Sequence, residues 1–142
     1  MVIPTDEYLE TKVTTATPHQ LHLMVIDGAI RYALAAEVAL TRRKLDEANA
    51  ALARARQFVG EMLAGLDATQ LPEVVDNLKA LFLFIHRNLV RAGLQHDPRL
   101  VTDSITILRL HRETWLALAE RLKQDSAVEA PARSAGRFSW AS

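Results

Sequence analysis

Residues 17–40, TPHQLHLMVIDGAIRYALAAEVAL, decide the fold class of this 142-residue chain. Thr17 is followed by Pro18, and Gln20 stands three residues after the threonine. This is the pattern of a capping box with proline at the first helical position. Apolar residues then recur every three or four positions, as they do on one face of an α-helix. The segment therefore predicts a first helix from Pro18 to about Leu40.

Three further helices follow from the same signals. Apolar residues continue from Leu45 at alternating spacings of three and four. Pro72 opens the next segment, Asp97-Pro98 opens the one after it, and Gly93 marks an end. The predicted helices are 18–40, 45–66, 72–93 and 98–123. Short connections force antiparallel neighbours, so we predict an all-α protein. It is an antiparallel up-down four-helix bundle over residues 17–123, with an apolar N-terminal cap segment (1–16) and a flexible C-terminal tail (124–142).

Composition excludes several classes of protein. Seventeen Lys and Arg balance 17 Asp and Glu, so the chain lacks the field on which nucleic-acid binders and polybasic membrane adaptors depend. No apolar run is long enough to span a membrane, and the acidic N-terminus does not fit a signal peptide. The absence of cysteine excludes disulfides and thiolate zinc sites. We expect a cytoplasmic protein.

Catalytic and metal-binding patterns are missing as well. No Glu-x-x-His, His-Glu-x-x-His, phosphate-loop or dinucleotide-binding glycine pattern occurs. His19 and His22 are three residues apart, but no third ligand is in view, so we interpret them as a surface pair near a helix start. We therefore expect no catalytic residue, metal or other cofactor. One alternative is a histidine phosphotransfer domain using His86, although the following Arg87 does not provide the small residues that such a site needs.

The first and third helices carry more apolar residues than one bundle stripe requires. The first helix has a seam from Leu21 to Ala39 and an offset stripe, and the third has apolar residues beyond its seam. The offset stripe contains Leu23, Ile26, Ile30 and Leu34, and the extra residues of the third helix are Val74, Leu81 and Phe84. Two interpretations stay open. These helices are the most buried pair, or they form a groove that binds an amphipathic helix of another protein, temporarily occupied by the N-terminal segment.

Several of these motifs resemble the flagellin export chaperones, the FliS family. The first block comprises Tyr8, Val13-Thr14-Thr15-Ala16-Thr17-Pro18, Leu21 and Met24 to Arg31. Later blocks comprise Asn77-Leu78, Leu81 to Phe84, Arg87-Asn88-Leu89, Ala92, Leu110 to Arg112 and Trp115. The resemblance covers about residues 5–123. The chain departs from the family pattern at Ile26, where an aromatic residue is usual, and at Phe82 and Phe84, where tyrosines are usual.

The resemblance implies a non-enzymatic cytosolic chaperone that binds the disordered C-terminal segment of flagellin, prevents premature polymerisation and keeps flagellin export-competent. It also implies contacts with export-gate and flagellar regulatory proteins, as a monomer or homodimer. Candidate residues of the flagellin groove are Tyr8, Leu23, Ile26, Ile30, Val74, Leu81 and Phe84. Structural roles are expected for Thr17, Pro18, Asp27, Gly28, Asn77 and Trp115. The competing hypothesis is a self-associating structural bundle without a client.

Overall fold

A computed structural model describes residues 16–66 and 71–128 of the chain. They form α1 (Pro18–Thr41), α2 (Leu45–Ala64), α3 (Pro72–Gln95) and α4 (Pro98–Val128), with no strand in these two ranges. Helix α1 packs against α2 and α4, and α3 packs against the same two helices. The chain is thus a four-helix bundle in which α1 and α3 stand at opposite corners, and the predicted fold class is confirmed.

Contacts between α1 and α4 show that these two helices run antiparallel. His22 meets His111, and Glu37 near the end of α1 accepts a hydrogen bond from Thr102 near the start of α4. Residue numbers therefore rise along α1 as they fall along α4. Helices α2 and α3 also run antiparallel, because Leu52 in the first half of α2 faces Gly93 near the end of α3.

Helix starts follow the predicted capping chemistry. The Thr17 hydroxyl accepts from the Gln20 backbone N–H at 3.2 Å, and the Gln20 side chain accepts from the Thr17 N–H at 2.9 Å. At the start of α4, an Asp97 carboxylate oxygen accepts from the Arg99 backbone N–H at 2.9 Å. Each cap satisfies backbone donors that the first turn of a helix cannot pair internally.

The predicted end of α3 at Gly93 is wrong, since the helix continues to Gln95. A Cβ built on Gly93 would lie 3.4 Å from a methyl carbon of Leu52, so this glycine allows close contact with α2. The helix ends at His96 instead, whose φ of 53° places it in the left-handed region. His96 takes the terminating conformation that glycine usually supplies.

Helix α4 is longer than predicted. It continues to Val128, so residues 124–128 are helical and the helix ends five residues beyond the predicted position at about Lys123. The rest of the predicted tail, with Phe138 and Trp140, lies outside the described residues, as do residues 1–15 of the predicted cap segment.

The bundle interior is aliphatic and rich in alanine. Fully buried residues recur at spacings of three and four on the helices, and small side chains on α1 allow its neighbours to approach. On α1 the predicted seam is wrong, because Leu21, Val25 and Tyr32 are half-buried and Ala35 is exposed, while the buried residues are His22, Ile26, Ala29, Ala33 and Ala36. The largest apolar side chains that are completely buried are Ile26, Leu52, Val59, Met62, Phe82, Ile85, Leu89, Val101 and Leu108.

Helix α1 uses its second apolar stripe inside the bundle. Ile26 is fully buried, and Leu23 and Ile30 pack partly buried against the core. Because α1 contacts α2 on one flank and α4 on the other, it needs two apolar flanks rather than one. Ile26 therefore belongs to the core, whereas Leu23 and Ile30 each keep part of their surface exposed.

Candidate functional site: an apolar surface on α3 and α4

Unlike α1, helix α3 keeps its extra apolar residues at the surface. Val74 and Phe84 are 46% and 47% exposed, and Leu81 is half-buried. Each residue directly precedes a core residue of α3, so all three lie on one flank of the buried stripe. Gly93, which follows a core residue, lies on the other flank and faces α2. The three apolar residues therefore lie on the flank toward α4.

Helix α4 completes this surface. Thr102 and Arg112 directly follow core residues and contact α1. Ile107 directly precedes a core residue and hence lies on the opposite flank, toward α3. Leu110, two positions after the core residue Leu108, lies further round toward the solvent-facing side of α4. Leu110 is 59% exposed and Ile107 is half-buried against the core. We call this group the α3/α4 surface: Val74, Leu81, Phe84, Ile107 and Leu110.

The structure does not combine the predicted groove residues into one face. Leu23 and Ile30 belong to α1, at the corner opposite α3, and Ile26 offers no surface to a partner because it is fully buried. Tyr8 lies outside the described residues. Leu110 was missed, although its position directly before a residue of the 3-4 stripe was a usable signal.

Gly28 serves the close helix approach that was expected of it. A Cβ built there would lie 2.6 Å from the Phe58 ring of α2, which is closer than real side chains pack. The Phe58 ring in turn stacks on Tyr32 of α1, with ring centroids 5.7 Å apart. This glycine therefore makes room for an aromatic side chain between the two helices.

The other residues with expected structural roles lie in four different settings. Thr17 and Pro18 form the cap and the first turn of α1. Asp27 pairs with Arg112 of α4 at 2.6 Å, on a partly exposed edge. Trp115 is buried, and its indole N–H donates to the His19 carbonyl at 2.9 Å. Asn77, in contrast, is exposed on α3.

A buried histidine pair joins α1 to α4, which corrects the prediction of a surface pair. His22 is fully buried, and its Nε2 lies 2.9 Å from Nε2 of His111. The rings of Trp115 and Phe82 pack around them, with the Trp115 and Phe82 centroids 4.4 and 6.4 Å from that of His22. His22 and His111 both fall on the 3-4 stripes of their helices, which is the signal that could have placed them in the core.

Burial sets the protonation of this pair. Desolvation lowers the pKa of His22 well below its ordinary value of 6.5, and positive charge on His111 or His19 would lower it further. Desolvation also lowers the pKa of His111. Both imidazoles are thus neutral near pH 7, one donating and the other accepting in their mutual hydrogen bond.

No other chemistry is assembled in the described part of the chain. Residues 16–66 and 71–128 contain no group of three His, Cys, Asp or Glu side chains that could hold a metal ion. Over the same residues, no helix has the length and apolar character needed to cross a membrane. His86 is half-buried on the flank of α3 toward α2, whereas phosphotransfer requires an accessible imidazole.

The described residues place the protein in the class of all-α helical bundles. The family described as Flagellar protein FliS matches residues 1–122, and the chain belongs to this family. A flagellar secretion chaperone FliS of Salmonella typhimurium is 29% identical over 114 residues, covering 80% of this chain and 84% of the relative. The FliS of Bacillus subtilis is 23% identical over 122 residues, covering 86% and 90%. The flagellar secretion chaperone FliSB of Pseudomonas aeruginosa is 24% identical over 107 residues, covering 75% and 85%.

Proposed function

We propose that the protein is a cytoplasmic, non-enzymatic flagellar secretion chaperone that binds the C-terminal segment of flagellin. Membership of the FliS family supports this proposal, and several relatives carry the name flagellar secretion chaperone. By holding this segment the protein prevents premature polymerisation and keeps flagellin export-competent. Contacts with export-gate and flagellar regulatory proteins are part of the same proposal.

The observation that carries the proposal is the exposed α3/α4 surface. Phe84 and Leu110 are both about half exposed, and Val74 on α3 is exposed as well. A disordered client segment that folds into an amphipathic helix gains free energy by burying such a surface. Part of that gain is offset by the cost of ordering the client, so a large contact remains reversible.

The client also has candidate contacts outside the α3/α4 surface. Leu23 and Ile30 on α1 are half-buried, so a client that wraps around the bundle reaches them at a different corner. Tyr8 is proposed to pack over the client site in the free protein and to move when flagellin binds. Deleting residues 2–12 should then leave flagellin affinity equal or higher, and loss of folding would show that the segment is core.

Titration of the purified protein with the flagellin C-terminal segment tests the proposal, with affinity from calorimetry and mass from light scattering. We expect a 1:1 complex, and Phe84→Ala should weaken binding about tenfold because it removes a large apolar contact. Leu94→Ala is the matched control, since Leu94 is more exposed, on the same helix, and outside the α3/α4 surface.

The competing hypothesis is a homodimer that buries the α3/α4 surface and has no client. Adding the segment should dissociate any such dimer if the surface is shared. An unaltered dimer without bound segment, or equal losses in Phe84→Ala and Leu94→Ala, would contradict the proposed client site.

A further inference from the structure

A group of aromatic and arginine side chains lies at the junction of α1 and α2, away from the α3/α4 surface. Tyr32 and Phe58 stack with nearly parallel rings, 16° apart. The Arg54 guanidinium carbon lies 5.1 Å from the Tyr32 centroid and 5.6 Å from that of Phe58. The Arg31 guanidinium carbon lies 5.3 Å from the same tyrosine ring. Two cations are therefore held at one aromatic pair.

Among the described residues, no carboxylate neutralises either arginine. Within residues 16–66 and 71–128, no ion pair joins Arg31 or Arg54 to an acidic side chain, and Arg54 donates instead to the neutral amide oxygen of Gln57 at 3.0 Å. Asp27, one turn before Arg31, is paired with Arg112 of α4. Both guanidinium groups are exposed and keep donors for a carboxylate from outside.

An open cleft adjoins the Phe58 ring. It has a volume of about 430 Å³ and is lined by Arg54, Gln57, Phe58, Gly60 and Glu61. A Cβ added to Gly60 would meet nothing within 4 Å, so the glycine leaves space next to the Phe58 ring. The cleft can hold an apolar side chain against the aromatic ring while flanking charges reach the arginines. Glu61, at its rim, is the one acidic lining residue.

We propose that this surface binds an acidic segment of a second partner protein, in which carboxylates flank an apolar or aromatic residue. The carboxylates pair with Arg31 and Arg54, and the apolar residue packs on Phe58 over Gly60. Planar guanidinium groups that are fixed on aromatic rings lose little freedom when they bind a carboxylate. Although the chain has no net charge, this local surface is selective for acidic partners and lies at a different helix pair from the proposed client site.

The test is an NMR titration of the ¹⁵N-labelled full chain with a Gly/Ser peptide containing Glu-Phe-Glu, compared with the same peptide containing Gln-Phe-Gln. We expect the glutamate peptide to bind roughly tenfold more tightly, with shifts centred on Tyr32 and Phe58. Arg31→Gln with Arg54→Gln should abolish that preference. Arg109→Gln with Arg121→Gln, two exposed arginines of α4, is the matched control and should leave it unchanged.

Two further variants make the test sharper. Glu61→Gln should strengthen binding of the glutamate peptide about two- to threefold, because it removes a like charge from the cleft. Gly60→Met should fill the cleft and weaken binding without unfolding the helix. Equal binding of the two peptides would overturn the proposal. So would binding to phosphatidylglycerol vesicles that needs both arginines while neither peptide binds.

Discussion

The two flanks of α1 contact their neighbouring helices through different chemistry. Toward α2 the contact is steric: Gly28 leaves room for the Phe58 ring, and stacked aromatic rings cover the junction. Toward α4 it is polar, with a buried histidine pair and an exposed ion pair between Asp27 and Arg112. The α2 contact therefore depends on volume and is insensitive to pH, whereas the α4 contact depends on protonation.

Acidification should have the largest effect on stability, and it should act through the α4 flank. Burial keeps His22 and His111 neutral in the folded state by lowering each pKa, while in the unfolded chain each takes up a proton near its ordinary value of 6.5. Below pH 6.5 the unfolded state thus binds more protons, and stability falls as the pH falls. Below pH 6.5 each histidine lowers the free energy of unfolding by about 1.4 kcal/mol per pH unit, so the pair lowers it by about 4 kcal/mol at pH 5. Urea unfolding between pH 7.5 and 5 measures this.

The control for acidification replaces both histidines, since replacing one would leave the other without its partner. A His22→Leu, His111→Leu variant should lose most of the pH dependence between 6.5 and 5. If the wild-type unfolding midpoint did not move over this range, the neutral buried pair would be contradicted.

A methyl group at Gly28 should damage the α2 flank. Gly28→Ala places a carbon 2.6 Å from the Phe58 ring, and we expect a loss of about 1–3 kcal/mol in the free energy of unfolding, because packed interfaces accommodate extra volume poorly. Phe58→Leu in the same chain should recover part of this loss. Additive effects in the double-mutant cycle would show that Gly28 and Phe58 do not compete for space.

At Gly60 of α2, substitution by alanine should have the opposite effect on stability. A Cβ at this position meets open space, so Gly60→Ala should stabilise the protein by about 0.5–1 kcal/mol through lower entropy of the unfolded chain and better helix propensity. Thermal unfolding of the two alanine variants side by side checks both signs. Destabilisation by Gly60→Ala would mean that position 60 is packed in solution.

The smallest effect is expected at the exposed edge of the α4 flank. Arg112→Gln removes the ion pair with Asp27, and the side chains of both partners are more than a third exposed, so the loss should be about 0.5 kcal/mol and should shrink in high salt. Comparison with Asp27→Asn and the double variant isolates the pair. A coupling energy that is independent of salt would indicate a more buried contact.

Much of the fold could be predicted because helix signals are local. The Thr17 capping box, prolines at positions 18, 72 and 98, and apolar spacing gave four helices with starts at the observed residues. The ends of the helices were harder to predict. Helix α3 passes through Gly93 because that glycine is packed against Leu52, and His96 adopts the left-handed conformation that no local pattern marked.

The candidate site could be predicted only in part. Val74, Leu81 and Phe84 were predicted to be extra to the seam of α3, and Val74 and Phe84 are exposed. The second stripe of α1 is as apolar as the extra residues of α3, yet its Ile26 is fully buried. Periodicity identifies the face of a helix on which a residue lies, but it does not say which neighbouring helix covers that face.

The sequence alone determined four helices, their caps, their apolar faces and the likeness to flagellar chaperones, since each depends on residues a few positions apart. Only the tertiary structure decided which apolar flank is buried and which is exposed. It also brought together His22 with His111, and Asp27 with Arg112, which are 89 and 85 residues apart in the chain. Such pairs depend on the order in which helices surround the core, and nothing local in the sequence encodes that order.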